Sequence, residues 1–299
     1  MIDKINQLKK QKNAIILAHY YAPPKVQEIA DFVGDSFYLA KIAKQSDADI
    51  IVFCGVYFMG ESAKILNPKK KVLMPDLTAD CAMAHMVAKG KIEKMRSEVD
   101  DLAVVCYINS TAELKCQSDV CVTSSNAVKI VKELPNKNIF FIPDKNLGRF
   151  VKEQVKDKNV ILNDGCCPIH AEITKEQLEF EKLRHPNATI LSHPECEREV
   201  LDLSDYIGST ADIIKYAKNS ADKEFIVCTE DGVAFELERQ NKDKKFYFPS
   251  PAPKCKDMKL NTVEKVLKVL ESEENEIQVP LEISSKAIIP LNRMLELGK

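Results

Sequence analysis

The sequence predicts an α/β fold of three αβα sandwich units with parallel sheets, related by a pseudo-threefold axis around one central active site. Three observations carry this reading. Strand-like runs of four to six residues alternate with helical stretches of about ten, the pattern of parallel sheets covered by helices. The apolar runs are β-rich and continuous, as strands buried on both faces are. Four landmarks recur three times along the chain at nearly one spacing, which is how a structural repeat announces itself.

The first landmark is an apolar run that ends in polar residues: AIILAHYY, AVVCYINS and TILSHPE. It places His19, Asn109 and His193 at matching strand ends, with separations of 109−19=90 and 193−109=84. The second is a short extended stretch that meets a hydroxyl residue opening an amphipathic helix, in DFVGDSFYLAKIAK, VCVTSSNAVKIVKEL and YIGSTADIIKYAK; Ser36, Ser124 and Thr210 fall 88 and 86 apart. The third is a buried strand, IIVFCG, IFFIPD or FIVCTE, followed by a helical segment carrying Gly60, Gly148 or Gly232. The fourth is a strand running into a cysteine turn, which sets Cys81, Cys167 and Cys255 apart by 86 and 88. The units are expected over residues 1–88, 89–172 and 173–257. Polar, capped helices at 89–98 and 174–184 open the second and third. Residues 258–299 have no repeat partner and read as C-terminal helices, from about Asn261 and after Pro280, that pack back on the core.

The composition excludes several classes of function. Lys and Arg total 43 against 45 Asp and Glu, a formal charge of -2, so no basic field exists to attract nucleic acid or an anionic membrane. No apolar run approaches a membrane span, and MIDKINQLKKQ lacks the order of a signal peptide, so a cytoplasmic protein is expected. In that compartment ten cysteines are not a disulfide framework. Most are expected to be small buried hydrophobes, and the functional reading of the exceptions is metal or cluster ligation.

Ligand-facing residues of a parallel sheet sit at the carboxyl ends of its strands, where every landmark falls, so a threefold arrangement aims all of them at one cavity. Three cysteines, one per unit, would meet there as a triangle of thiolates. That donor set suits a [4Fe-4S] cluster, in which the fourth iron stays open as a Lewis acid. Structural zinc fits less well, because its usual four ligands and close C-x-x-C pairs are missing. Cys166 fits the repeat arithmetic nearly as well as Cys167 (166−81=85, 255−166=89), so spacing does not choose between them. Cys54, Cys106, Cys116, Cys121, Cys196 and Cys228 have no threefold set and read as core.

Ser36, Ser124 and Thr210 could be ordinary N-caps. Three helix starts facing one cavity would instead present free N–H groups and positive dipole ends to a small polyanion. Of five histidines, His85 and His185 have surface-like neighbours, while His19, His193 and His170, three residues beyond Cys167, face the axis. Glu195, Tyr21 and Tyr107 are candidates for proton transfer and carbonyl polarisation. Tyr20 is one residue out of phase and should face away.

These strings, IILAHYY, DFVGDS, KILNP, YINSTAELK, TSSNAV, FIPDKNLG, CPIH, HPE, YIGST, TE-x-G and KCKDMKLNT, together resemble the quinolinate synthase family over nearly the whole chain. The resemblance implies a triangular protein of three αβα domains with an oxygen-sensitive [4Fe-4S] cluster at its centre. It matches Cys81, Cys167 and Cys255 to the cluster ligands, the C-x-x-H string selecting Cys167 over Cys166. It matches His19, Ser36, Tyr107, Ile108, Asn109, Ser124, His193, Pro194, Glu195 and Thr210 to substrate-binding positions, with Tyr21 and Glu195 as acid/base groups beside His19 and His193. The implied activity joins iminoaspartate to dihydroxyacetone phosphate, closing the pyridine ring of quinolinate for NAD biosynthesis, with a functional link to an enzyme that supplies iminoaspartate. Two positions depart from the family's pattern: Ala22 stands where Gln is expected, and Cys166 where bulkier residues are common. Other readings of the same cysteine set are a [4Fe-4S] hydro-lyase, which would not need the triose phosphate, and an iron–sulfur sensor, which should carry a basic helix or appended module that is not seen here.

Overall fold

The computed structural model describes residues 1–299. Its twelve strands form three separate four-stranded sheets, every pairing parallel. The first holds β1 (Ala14–His19), β2 (Phe32–Gly34), β3 (Ile50–Cys54) and β4 (Lys71–Leu73). The second holds β5 (Leu102–Tyr107), β6 (Val120–Val122), β7 (Asn138–Ile142) and β8 (Asn159–Leu162), and the third β9 (Thr189–Ser192), β10 (Tyr206–Ile207), β11 (Glu224–Cys228) and β12 (Lys245–Tyr247). Spatial order is the same in each: β2-β1-β3-β4, β6-β5-β7-β8 and β10-β9-β11-β12. In this order the chain leaves the first strand toward one edge and the third toward the other, which opens a crevice at their carboxyl ends. The central strands are almost wholly buried, in keeping with their continuous apolar runs.

Two further threefold sets hold the units together internally. Asp31, Asp119 and Asp205 (119−31=88, 205−119=86) each accept, through Oδ2, the backbone N–H of Ile16, Val104 or Ile190, at 2.8, 2.7 and 2.8 Å. Each returns its own N–H to that same residue's carbonyl, so the second strand is pinned to the first by a reciprocal pair. Lys70, Lys158 and Lys244 (158−70=88, 244−158=86) each donate from Nζ to two carbonyls at the carboxyl end of a helix. These are the ends of helices Ser36–Gln45, Ala127–Glu133 and Thr210–Asn219, where unpaired acceptors and the negative dipole end favour a cation.

The first two units share one continuous apolar core, to which helix Leu281–Leu297 contributes Ala287, Leu291, Met294 and Leu295. The helix Val263–Ser272 buries Val266, Val269 and Leu270 against the first unit. The third unit has its own two smaller cores, around Ile190 and around Phe225.

Replacing Asp205 with Ala leaves the buried strand amide of Ile190 without its acceptor, at a cost of about 1–2 kcal/mol. Urea unfolding should show a lower midpoint at unchanged slope; a midpoint equal to wild type would mean that water replaces the carboxylate.

Candidate active site

The sheet register corrects the pairing of the strand ends. His19 lies opposite Gly34 and Tyr107 opposite Val122, while Gly208 donates its N–H to Ser192 beside His193. The residue equivalent to His19 is therefore Tyr107, not Asn109 (107−19=88, 193−107=86). Asn109 belongs with Tyr21 and Glu195 instead (109−21=88, 195−109=86). The apolar run AVVCYI continues past the end of β5, which hides where the strand stops. Both sets line one central cavity, together with Ser36, Ser124 and Thr210. Ile108 points into the shared core, and Pro194 is buried but outside the lining. Tyr20 packs against the Phe225 core, away from the cavity.

The helix starts separate capping from ligand-facing roles. Asp35 caps Ser36–Gln45 by accepting the Tyr38 N–H at 2.8 Å, and Ser209 caps Thr210–Asn219 in a reciprocal box with Asp212. In the second unit Asn126 Oδ1 accepts the Thr123 N–H at 2.7 Å, closing the turn that contains Ser124. In the first and third units a neighbour caps the helix, and in the second Ser124 lies in the turn three residues before helix Ala127–Glu133, so none of the three hydroxyls serves as a cap.

His19 and His193 sit alike: Nδ1 of each accepts the backbone N–H two residues on, from Tyr21 at 3.2 Å and from Glu195 at 3.3 Å. Burial pushes both imidazoles down to about 3, against the pull of Glu195, so they are neutral at neutral pH. With Nδ1 accepting, the proton is on Nε2. Burial alone would raise the Glu195 carboxyl, but the imidazoles of His170 and His193 and the adjacent Tyr107 phenol outweigh it and hold Glu195 well below the usual carboxylate range. Its Oε2 is 2.8 Å from His170 Nδ1, whereas Oε1 is buried with no hydrogen-bond partner. Asn109 Oδ1 is equally orphaned. Two unpaired buried acceptors in one cavity call for a donor from a ligand.

Cys81, Cys167 and Cys255 line this cavity, one from each unit and all unpaired; Cys166, half-buried, does not. Burial pushes the Cys81 thiol up to about 12, with Glu195 and Cys255 adding to it, and raises Cys167 and Cys255 as well. Asp144 Oδ2 accepts the Cys167 N–H at 3.1 Å and Glu230 Oε1 the Cys255 N–H at 3.0 Å. These acids are equivalent (230−144=86), but the first unit has Val56 in their place (144−56=88), and there Asp80 accepts the Cys81 N–H. Cys54, Cys106, Cys121, Cys196 and Cys228 are fully buried as expected of core residues, whereas Cys116 is partly exposed.

Three further neighbours complete the site: His170, which the sequence placed toward the axis, and Thr229 and Lys259, which it did not single out. His170 places Nδ1 3.2 Å from Cys167 Sγ and Nε2 2.9 Å from the Thr229 hydroxyl. Thr229 lies one residue before Glu230, at the end of β11. Lys259 reaches from the Cys255 segment to Glu230 at 2.7 Å and to the Tyr21 carbonyl at 2.9 Å, and so ties the third cysteine turn to the first unit. The approach is close: a Cβ on Gly232 would lie 2.7 Å from the Tyr21 Cα, so only glycine fits there. The signal for Lys259 was its place in the KCKDMKLNT string. For Thr229 there was none, since a threonine after a strand is ordinary.

Fold and site define a three-unit α/β protein with a single, thiol-lined ligand cavity built from equivalent strand ends. Residues 3–296 match the family model described as quinolinate synthetase A protein. The chain is 53% identical to the quinolinate synthase of Fusobacterium nucleatum subsp. nucleatum, the alignment covering 100% of this chain and 99% of the relative. It is 52% identical to that of Caldicellulosiruptor bescii (99% and 98% covered) and 51% identical to that of Clostridioides difficile (99% and 97%). The chain belongs to the quinolinate synthetase A family of enzymes.

The Glu230–Lys259 pair gives a prediction. Lys259→Met leaves a buried carboxylate uncompensated and should destabilise the protein by about 2 kcal/mol, the cost being limited because burial already raises Glu230 to about 7 and lets it take a proton. The double variant Glu230→Gln/Lys259→Met should recover part of the loss in urea unfolding; a strictly additive double loss would show that the pair does not interact.

Proposed function

We propose that this chain condenses iminoaspartate with dihydroxyacetone phosphate to quinolinate, phosphate and water in NAD biosynthesis. The observation that carries the reading is the convergence of Cys81, Cys167 and Cys255 with the His19/Tyr107/His193 and Tyr21/Asn109/Glu195 sets on one cavity. The three thiols are the donor set of a [4Fe-4S] cluster, and no Lys or Arg lines the cavity to offset thiolate charge, so the residues present fit a cationic iron–sulfur group. When bound, that group supplies a Lewis acid for a substrate oxygen.

The protein's own groups do the rest. Ser36, Ser124 and Thr210 hold the anionic ends of the substrates with their hydroxyls, to which Ser36 and Thr210 add helix-start N–H groups. His19 and His193 donate from Nε2, and Asn109 orients a ligand donor through its free Oδ1. Tyr107, beside Glu195, contributes its ring and phenol. Glu195, ionised and with Oε1 free, takes a carbon-bound proton, and Tyr21 exchanges a proton with an oxygen of the substrate. A supply of iminoaspartate from a partner enzyme completes the scheme.

A second reading rests on Cys167, His170 and Glu195, whose donor atoms lie within 4.8 Å of one another and could hold a single metal ion. It leaves Cys81 and Cys255 without a role. Metal analysis of anaerobically purified protein separates the two: iron with matching sulfide supports the cluster, one zinc per chain supports the single ion.

The same preparation should form quinolinate from the two substrates, and absence of product would refute the assignment. Cys81→Ala, Cys167→Ala and Cys255→Ala should each lose iron while Cys166→Ala keeps it; the reverse result at 166 and 167 would exchange their roles. Tyr21→Phe and Glu195→Gln should keep cluster and substrate binding yet lose about two or more orders of magnitude in rate. Near wild-type turnover in both would remove them from the chemistry.

A further inference from the structure

The loops that carry Tyr21, Asn109 and Glu195 are each anchored, from outside the cavity lining, by one buried nitrogen donor. In the first unit Gln27 Nε2 donates to the Tyr20 and Ala22 carbonyls on either side of Tyr21, at 2.8 Å each. In the second, Lys115 Nζ donates to the Ser110 carbonyl, one residue past Asn109. In the third, Asn146 Nδ2 donates to the carbonyl of Glu195 itself at 3.0 Å. Gln27, Lys115 and Asn146 are at most 3% exposed. We propose that Lys115 is a positioning residue for Asn109: its ammonium holds the Ser110 carbonyl and so fixes the turn that aims the Asn109 amide into the cavity. The inference rests on the place given above to Asn109 in the substrate site.

Lys115 and Gln27 occupy equivalent positions and reach equivalent carbonyls (115−27=88, 110−22=88). The third unit has Leu201 there (201−115=86), which cannot donate, and its loop takes the donor from Asn146 of the second unit instead. Two anchors are therefore amides and one is an ammonium, the group most costly to bury. Its charge is met in the junction between the first two units. The Phe58 ring centre lies 5.4 Å from Nζ, and burial raises the nearby Glu61 carboxyl while the Lys115 charge pulls it back. Glu61 also accepts the Ala112 N–H at 3.1 Å, so the two side chains grip both ends of segment 110–112.

Asn109 needs such an anchor because the sheet stops short of it. The last ladder bond of β5 runs from the Ile108 N–H to the Val122 carbonyl, so Tyr107 is held by the sheet. Asn109 is held by its turn, in which Ser110 donates its N–H to the Ile108 carbonyl and its hydroxyl to the Tyr107 carbonyl. Fixing the Ser110 carbonyl sets the backbone on the far side of Asn109, and with it the direction of a side chain whose Oδ1 has no protein partner. Lys115 does not line the cavity, so substituting it removes no substrate contact.

The test compares Lys115→Met, which keeps the stem and loses the donor, with Lys115→Gln, which copies the first unit's anchor, in the anaerobically purified full chain. Quinolinate affinity, measured by calorimetry, should fall about tenfold in Lys115→Met, the weight of one buried hydrogen bond, with iron content within about twofold of wild type. Lys115→Gln should stay within about threefold of wild type in affinity. In an Asn109→Ala background, Lys115→Met should cost less than about twofold more, because no amide is then left to aim. A readout independent of any ligand is the Asn109 side-chain 15N–1H resonance, assigned by its loss in Asn109→Ala: it should move in Lys115→Met and return in Lys115→Gln. Wild-type affinity and an unmoved resonance in Lys115→Met, equal impairment in both variants, or an additive double variant would overturn the proposal. So would failure of Lys115→Met to fold or load iron, which would make the lysine structural. If wild type neither makes nor binds quinolinate, the proposed reaction fails, while the resonance still decides whether Lys115 positions Asn109.

Discussion

Everything in this molecule depends on three sheets of one strand order aiming their carboxyl ends at the same place. Crossovers that leave the first and third strands in opposite directions force a crevice at each sheet, and bringing three crevices together makes a buried cavity no single unit could enclose. The residues at and just past the ends of β1, β5 and β9 become concentric sets at that centre. Threefold placement does not impose threefold chemistry: histidine, tyrosine and histidine form one set, tyrosine, asparagine and glutamate the next. The cavity can therefore present an imidazole, a phenol, an amide and a carboxylate to one asymmetric ligand from three directions.

The electrostatics of this centre are one-sided. Asp35, Asp80, Glu195 and Glu230 line it and no Lys or Arg does, while both strand-end histidines are kept neutral by burial. Such a lining is hostile to a polyanion unless helix-start N–H groups, hydroxyls and a bound cation supply the positive potential. The third unit, with its separate cores, meets the first through polar links, Tyr21 to Thr210 and Thr229, Lys259 to the Tyr21 carbonyl and Gln27 to the Gly232 carbonyl, so the site doubles as part of the junction.

Much of this was legible in the sequence because repeats and periodicity survive in single letters. The alternation of buried strands and helices, the helices at Lys91–Glu98 and Lys175–Arg184, and Ser36 and Thr210 at helix starts are where the patterns put them, whereas Ser124 lies in a turn three residues before helix Ala127–Glu133. Position along a strand was harder. Ile108 extends the apolar run beyond the end of β5, so the sequence pairs Asn109 with His19, whereas the register pairs Tyr107 with His19 and Asn109 with Tyr21. The Asp31/Asp119/Asp205 and Lys70/Lys158/Lys244 sets carry the same 88 and 86 spacing and were readable in principle, but acidic and basic residues are common enough to hide a period. Thr229 and Lys259 make contacts between units, to Tyr21 of the first, which no local pattern encodes.

The central claim is that one cavity holds a cluster on three cysteines with one iron left for substrate. Mössbauer spectroscopy of the anaerobically purified, 57Fe-labelled protein tests it most directly. Four irons per chain should appear, one distinguishable from the other three, and its signal should shift when quinolinate is added. Four equivalent irons indifferent to quinolinate, or a single metal ion in place of the cluster, would contradict the account.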